Sequence, residues 1–267
     1  MSIFNNEFVL RAFIATILIG FAAPFIGTYV VQRKLSLVGD GLGHVAAAGV
    51  GLALWFNFAP QLIAIVATVI AAIAIEWIMH TSKNSDTALA VIFYSGIGAS
   101  IIFAGKSSNQ LKLQQYLFGS LLTISWTEII YLAIICLVVV CALFFIWRYL
   151  LSISIDEDSA KIAGVNTHMF HIAIMTFVAL IVSISISITG ILLISAVMVI
   201  PVLSAKTIGK YFYQTWIFAS VLGVIGSVLG FVLSTFFDLA PGGTIVITHI
   251  FIFGLMSIIT KLKISKI

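Results

Sequence analysis

Long apolar segments recur along the whole chain, and they constrain its fold more than any other feature. Each is close to or above 18 residues, which lets a helix cross a hydrocarbon core of about 30 Å. Backbone polar groups in lipid must be satisfied within the protein, and the sequence lacks the alternating pattern of a membrane β-barrel. With 62% hydrophobic and 8% charged residues, the sequence predicts an all-α polytopic transmembrane helical bundle, a single domain over residues 1–267.

About nine spans are predicted along this bundle. Their approximate bounds are 8–31, 41–57, 60–79, 87–105, 126–148, 168–188, 190–206, 212–237 and 244–262. The apolar piece at 116–122 has only seven residues, too few to cross, so it is predicted to form a short re-entrant helix.

The basic residues predict how the bundle is oriented. The net charge is +4, but the Lys and Arg side chains lie mostly in short connections, which is a signal of membrane topology rather than of nucleic-acid binding. The basic side chains concentrate on the cytoplasmic side if the N-terminus is outside and the C-terminus cytoplasmic. Those placed inside are Arg33, Lys34, Lys83, Arg148, Lys161, Lys206, Lys210, Lys261, Lys263 and Lys266, and those outside are Arg11, Lys106 and Lys112.

Asp40 and His44 are two ionisable residues at the entry to the second span, in an otherwise apolar stretch. Residues four apart on a helix share one face, with Cβ atoms about 5 to 6 Å apart. Carboxylate and imidazole are ligands that suit zinc, manganese and iron. Three interpretations remain open: passage of a divalent metal, a structural hydrogen bond between the two side chains, or a proton relay.

The small residues Ala47, Ala48 and Gly51 continue the face of Asp40 and His44. Such residues either admit a neighbouring helix or leave open volume. Behind a polar pair, open volume would give an ion a path.

Two further polar features are candidates for metal contact. Glu76 and His80 repeat the four-residue spacing near the inner surface, where a pair with access to water is favoured over a second metal site. Asp238 precedes a turn containing Pro241, and there it is expected to be solvated, although it could meet a cation from outside.

The substantial inner connection, about 149–167, contains a predicted short helix. Ser154 and Glu157 have the spacing of a capping box, acidic residues fill the first turn, and Gly164 suits the position after the last turn. This segment is interpreted as a contact for a partner or, alternatively, as an ordinary amphipathic connector.

Sequence motifs argue against enzymatic activity. The chain has no GxxxxGK[ST] nucleotide motif. It also has no HExxH or GxSxG signature in a convincing context. An intramembrane enzyme assembled from separate spans remains the rival from that class.

The chain resembles the permease subunit of the zinc and manganese family of ABC importers. The pieces that carry the resemblance are QRKLSLVGDGLGHVAAAGV at 32–50, SDTALAVIF at 85–93, YLFGSLL at 116–122, DEDSAKIAGV at 156–165, GILLISAVMVIPVLSA at 190–205 and DLAPGGTIVI at 238–247. They occur in the family's order over nearly the full length, and they are specific only in combination.

The resemblance implies a type II ABC importer-like homodimer in the bacterial cell membrane, with the metal path between subunits. It implies an extracytoplasmic metal-binding protein and a separate cytoplasmic ATP-binding subunit as partners, and no permanently bound cofactor. Asp40 and His44 match the metal-contacting pair. The matches to the coupling helix that contacts the ATPase are Asp156, Glu157, Asp158, Ala160 and Gly164.

The resemblance leaves the metal and the energy source to be tested. Zinc is favoured because the GDGLGH form of the motif at 39–44 looks closer to that of zinc-type members. Manganese and iron stay as alternatives, since imidazole ligands also serve them. A proton- or cation-coupled secondary transporter is the alternative, although the inverted repeats typical of that class are not evident in the sequence.

Overall fold

The computed structural model describes residues 6–82, 84–106, 119, 124–209 and 211–264, and it is helical throughout its regular elements. The described residues form ten helices. These are α1 (Glu7–Gln32), α2 (Val38–Phe56), α3 (Pro60–Ser82), α4 (Ser85–Lys106), α5 (Trp126–Ile155), α6 (Glu157–Ile162), α7 (Thr167–Thr189), α8 (Ile191–Ile208), α9 (Phe212–Phe237) and α10 (Pro241–Ile264). The predicted all-α fold is confirmed.

Eight of these helices are long and apolar enough to cross a membrane, so the chain is a multi-pass membrane protein. The ninth predicted span, 190–206, coincides with α8, whose apolar stretch Leu193–Ile208 is shorter than the others. The re-entrant helix predicted at 116–122 falls on residues outside the described ranges, apart from Gly119.

The helices at the centre of the bundle are α1, α2 and α7, which bury about half or more of their apolar stretches. By contrast, α4, α5 and α10 leave most of theirs exposed. Because apolar surface is stable in lipid or against another apolar surface, these outer faces fit a membrane environment. The centre of the bundle therefore holds the helix that carries Asp40 and His44.

Glycines in α9 allow the last two spans to pack closely. A Cβ atom at Gly226 would lie 2.4 Å from ring atoms of His249, and one at Gly230 would lie 2.5 Å from the Ile245 backbone. His249 is buried and within hydrogen-bonding distance of Ser227, at 3.1 Å. The GxxxG face of Gly226 and Gly230 thus packs within the chain, against α10.

One end of the bundle gathers the end of α1, the end of α3, the start of α4, the end of α5, all of α6 and the start of α7. Residues from all six elements line one shared cavity. We call this the α6 end.

Candidate functional site

Asp40 and His44 lie inside α2, with Asp40 in its first turn. The N-cap of α2 is Leu37, whose side chain makes no capping hydrogen bond. A carboxylate in this first turn is favourable, because it faces the unpaired N–H groups and the positive end of the helix dipole. Both side chains are half-buried, so they remain partly accessible while the helix fixes the backbone that carries them.

Helix α4 fixes the position of the His44 ring. The ring lies edge-on to Phe93, with centroids 5.1 Å apart and an interplanar angle of 84°. A Cβ atom at Gly96 would lie 2.9 Å from the Val45 backbone nitrogen, so the two helices are in close contact there. An aromatic contact orients the imidazole while leaving its nitrogen lone pair available.

Within the described residues, neither Asp40 nor His44 forms a hydrogen bond through its side chain. A structural Asp–His hydrogen bond, one of the three interpretations, is therefore not supported by this conformation. A carboxylate and an imidazole without protein partners are suited to bind a metal ion or to transfer a proton.

One copy of the chain supplies only part of a metal coordination shell. No group of three or more His, Cys, Asp or Glu side chains among the described residues could hold a metal ion. Structural metal sites normally use four protein ligands. A two-ligand arrangement fits an ion that stays briefly, with its other positions filled by water or by another chain.

Neighbouring helices close the face that continues from the pair, so within a single chain the structure favours close packing over open volume. Ala47 and Ala48 are buried, and a Cβ atom at Gly51 would lie 2.9 Å from Phe103. The small residues serve the alternative purpose, close helix packing.

Glu76 is not the water-accessible partner of His80 that the sequence predicted. Its side chain is 4% exposed and accepts two hydrogen bonds from Arg33, at 3.0 and 3.3 Å. It also lies 3.3 Å from Nδ1 of His171. His80 is exposed instead, and its ring lies 4.9 Å from that of His168.

In the sequence, Arg33 gives only a signal of membrane topology, and nothing singles out His171. Arg33 and Glu76 are 43 residues apart, and His171 is 95 residues from Glu76. The sequence does carry one signal, the free-energy cost of burying a carboxylate. That cost indicates that Glu76 needs a partner, but it does not indicate which residue the partner is.

The predicted capping box at Ser154 and Glu157 is wrong. Helix α5 continues to Ile155, so Ser154 is still helical and residues 149–155 of the predicted loop belong to α5. The N-cap of α6 is Asp156, whose carboxylate accepts a hydrogen bond from the Asp158 backbone at 3.1 Å.

The C-terminal end of α6 follows the prediction. Gly164 has a φ of +84°, which glycine adopts without the steric cost that a Cβ atom brings. The backbone N–H of Val165 donates to the carbonyl of Ala160 at 3.0 Å. This geometry is a common helix termination, and it holds the six-residue helix α6 in a compact turn.

Local interactions keep the charged side chains of α6 ionised. The pKa of Asp156 is lowered, chiefly by the hydroxyl hydrogen bond from Ser159. Partial burial tends to raise the pKa of Glu157, but the hydrogen bond from Lys161 and nearby positive charges lower it overall. The same Glu157 contact, at 2.9 Å, raises the pKa of Lys161.

Large apolar side chains flank α6 at the surface. Ile155 is 77% exposed and Ile162 is 88% exposed. They lie at the end of α5 and in α6, next to the charged first turn. Exposed apolar groups rimmed by charge are typical of a surface that another protein covers.

Asp238 lies at the end of α9, where it has a left-handed backbone conformation with a φ of 51°. Its side chain is exposed, consistent with solvation.

Comparison with known proteins places this architecture among transport permeases. The model of the ABC 3 transport family matches residues 5–261. The high-affinity zinc uptake system membrane protein ZnuB of Haemophilus influenzae is 30% identical over 251 residues, covering 93% of this chain and 96% of that protein. A probable iron transport system membrane protein of the same organism is 29% identical, covering 94% and 89%.

A solved structure is similar over the same extent. PsaBC from Streptococcus pneumoniae, in complex with Fab, superimposes with a TM-score of 0.85 at 27% identity. The match covers 96% of this chain and 92% of that one.

Proposed function

The chain belongs to the ABC 3 transport family, and from this premise we propose that it imports a divalent transition metal, zinc in preference to manganese or iron. The resemblance inferred from the sequence is confirmed at the level of the family. Zinc is favoured because ZnuB of Haemophilus influenzae is a zinc uptake protein by name and is similar over nearly its whole length. An imidazole ligand fits zinc but does not exclude the other two metals.

The observation that carries the proposal is the pair in α2. Asp40 and His44 lie one turn apart in a central helix, half-buried, and free of hydrogen bonds to other described residues. A charge in a spanning helix costs roughly 2.5 to 3.5 kcal/mol even on translocon-insertion scales, so such residues usually serve a function. Here that function is transient coordination of the metal between two copies of the chain.

Helix α6 is the proposed contact with a separate ATPase subunit. Asp156 and Gly164 fix its two ends, Ala160 is buried on its inner side, and Glu157 and Asp158 present charge. The exposed Ile155 and Ile162 add apolar surface. Movement of this helix would transmit ATP-driven closure to the bundle as alternating access.

We propose the remaining parts of the assembly from the resemblance and from the distribution of basic residues. An extracytoplasmic protein delivers the metal, the α6 end faces the cytoplasm, and the N-terminus is outside. ATP hydrolysis belongs to the partner subunit, because the chain has no nucleotide-binding motif.

Metal uptake into proteoliposomes tests the proposal. The complete complex, with ATPase and binding protein, is compared with Asp40→Ala and His44→Ala variants. We expect both variants to assemble and hydrolyse ATP but to accumulate neither zinc nor manganese. Asp86→Asn, which changes an exposed carboxylate in α4, is the control and should transport normally.

Acidification provides an independent test of His44. A protonated imidazole cannot bind metal, so uptake should fall as the pH is lowered and the imidazole becomes protonated. Uptake that is independent of pH would argue against His44 as a ligand. Uptake driven by an ion gradient through this chain alone would support the secondary transporter instead.

A further inference from the structure

A cavity of about 680 Å³ opens at the α6 end of the bundle. It lies where α1, α3, α5, α6 and α7 converge, and three histidines contribute to its lining: His80, His168 and His171. Asp40 and His44 are not among its lining residues. The cavity is therefore separate from the pair in α2.

His171 is one of the residues that line this cavity. Its side chain is 4% exposed, and its buried Nε2 atom has no hydrogen-bond partner among the residues that the structure describes. The other nitrogen, Nδ1, lies 3.3 Å from Oε1 of Glu76. A buried polar atom without a hydrogen-bond partner is energetically costly, and a ligand that binds this nitrogen would remove that cost.

The hydrogen bonds around Glu76 determine which His171 nitrogen carries the proton. Glu76 already accepts two hydrogen bonds from the Arg33 guanidinium, as an ionised carboxylate does. An ionised carboxylate only accepts, so Nδ1 of His171 must donate. In the neutral imidazole, Nε2 then has a free lone pair.

This arrangement is the one that prepares a histidine to bind metal. Metal-ligating histidines generally donate their second ring N–H to a carboxylate or carbonyl, which fixes the tautomer and orients the free nitrogen. Glu76 has that supporting position relative to His171. The exposed rings of His80 and His168, 4.9 Å apart, provide further imidazoles in the same cavity.

The cationic groups of the cavity are already paired with carboxylates. Arg33 is bound by Glu76, and Lys161 by Glu157 at 2.9 Å. Two lining groups have no hydrogen-bond partner within the described part of the chain: Nε2 of His171 and the buried hydroxyl of Tyr29. Neutral imidazole is a good ligand for zinc and its neighbours, and water can fill the other coordination positions.

We propose that this cavity is a second station for the divalent metal, on the cytoplasmic side of the permease. Nε2 of His171 binds the ion, one of His80 and His168 supplies a second imidazole, and water completes the shell. Two protein ligands allow the ion to leave, as transport requires. The inference rests on the proposed function, since it names where the transported metal pauses before release.

Cobalt(II) absorption can detect this station without measuring transport. The purified complex with its ATPase carries Asp40→Asn and His44→Gln, which remove the first pair, and is titrated with cobalt(II). We expect saturable binding with a visible spectrum typical of imidazole ligands. Adding His171→Gln should abolish it, and adding Glu76→Gln should weaken it by about 10- to 100-fold.

The control is His249→Gln, which removes a buried histidine elsewhere in the bundle and should leave cobalt binding unchanged. Because His171→Gln disturbs a buried network, a His80→Gln and His168→Gln double variant gives a second test at exposed positions. It should weaken binding by about tenfold or more.

Two results would overturn the proposal that this cavity is a second station for the metal. The first is a background complex that binds no cobalt while the unmodified complex binds it and transports metal. The second is full affinity in both the His171→Gln and the double variant. Absence of metal uptake by the unmodified complex would instead contradict the proposed function, so the two failures can be told apart.

Discussion

Replacing Glu76 with glutamine should destabilise the bundle strongly for a single isosteric change. Glu76 is 4% exposed and Arg33 is 17% exposed, so the pair is largely removed from water. Breaking a buried ion pair from one side typically costs about 3 to 5 kcal/mol, because the other charge stays buried without compensation. We expect a loss near the lower limit, about 3 kcal/mol, because the Arg33 side chain keeps some contact with solvent.

A double-mutant cycle measured by equilibrium unfolding in mixed micelles tests this reasoning. Arg33→Met alone leaves the Glu76 carboxylate buried with His171 as its remaining partner, so it should cost a similar amount. Combining Arg33→Met with Glu76→Gln removes both charges. The loss in the double variant should be smaller than the sum of the two single losses, with a coupling free energy of about 2 kcal/mol.

The control pair is Glu7 and Arg11, at 3.2 Å, where the glutamate side chain is 75% exposed. Glu7→Gln should change the unfolding free energy by no more than about 1 kcal/mol, because exposed ion pairs contribute little. The reasoning is refuted if Glu76→Gln costs no more than Glu7→Gln. It is also refuted if the losses from Arg33→Met and Glu76→Gln simply add.

Two further predictions concern helix packing and capping. Gly226→Ala would place a Cβ atom 2.4 Å from the His249 ring and should lower the unfolding free energy by about 1 to 3 kcal/mol. Gly254→Ala, with nothing within 4 Å, should be neutral or stabilising in the same assay; equal losses would contradict the packing argument. Asp156→Ala should reduce ATP-driven uptake while Asp156→Asn should not, because asparagine also caps a helix; equal uptake in both would show that the cap is dispensable. The pKa of Asp156 is lowered in the folded chain, so its cap contributes above the unfolded pKa of about 3.9 and is lost only as the pH falls further.

The spans could be predicted from the sequence because a single strong condition defines them. A run of apolar residues long enough to cross lipid must be helical, whatever its neighbours are. The placement of Asp40 and His44 on one helix was predictable for the same reason, since spacing within a helix fixes their relation. Neither inference depends on which helices meet in space.

The predicted start of α6 is wrong because packing keeps α5 helical beyond the point at which the sequence indicates its end. The segment before α6 alternates Ser and Ile, which predicts no helix by itself. In the structure Leu150 and Ile153 are buried, and the Ser152 hydroxyl donates to the Arg148 carbonyl at 3.1 Å. Tertiary contacts keep these residues helical, so the cap moves to Asp156.

The network of Arg33, Glu76 and His171 could not be predicted because it depends on which helix ends meet. Sequence spacing paired Glu76 with His80, the neighbour one turn away. In the structure, the Glu76 carboxylate instead accepts two hydrogen bonds from the Arg33 guanidinium. The most favourable partner of a buried charge is the group that compensates it best, however far away that group lies in the sequence.

Packing and hydrogen bonding set His249 apart from the two histidines that we propose as metal ligands. His249 is buried, is within hydrogen-bonding distance of Ser227, and occupies space that Gly226 leaves open, as a packed residue does. His171 has one nitrogen supported by Glu76 and the other free. His44 has an aromatic neighbour but no hydrogen bond to any described residue. Unsatisfied polar groups are costly in an apolar protein. Binding of a passing metal ion would explain why His44 and His171 each keep a ring nitrogen without a hydrogen bond to a described residue.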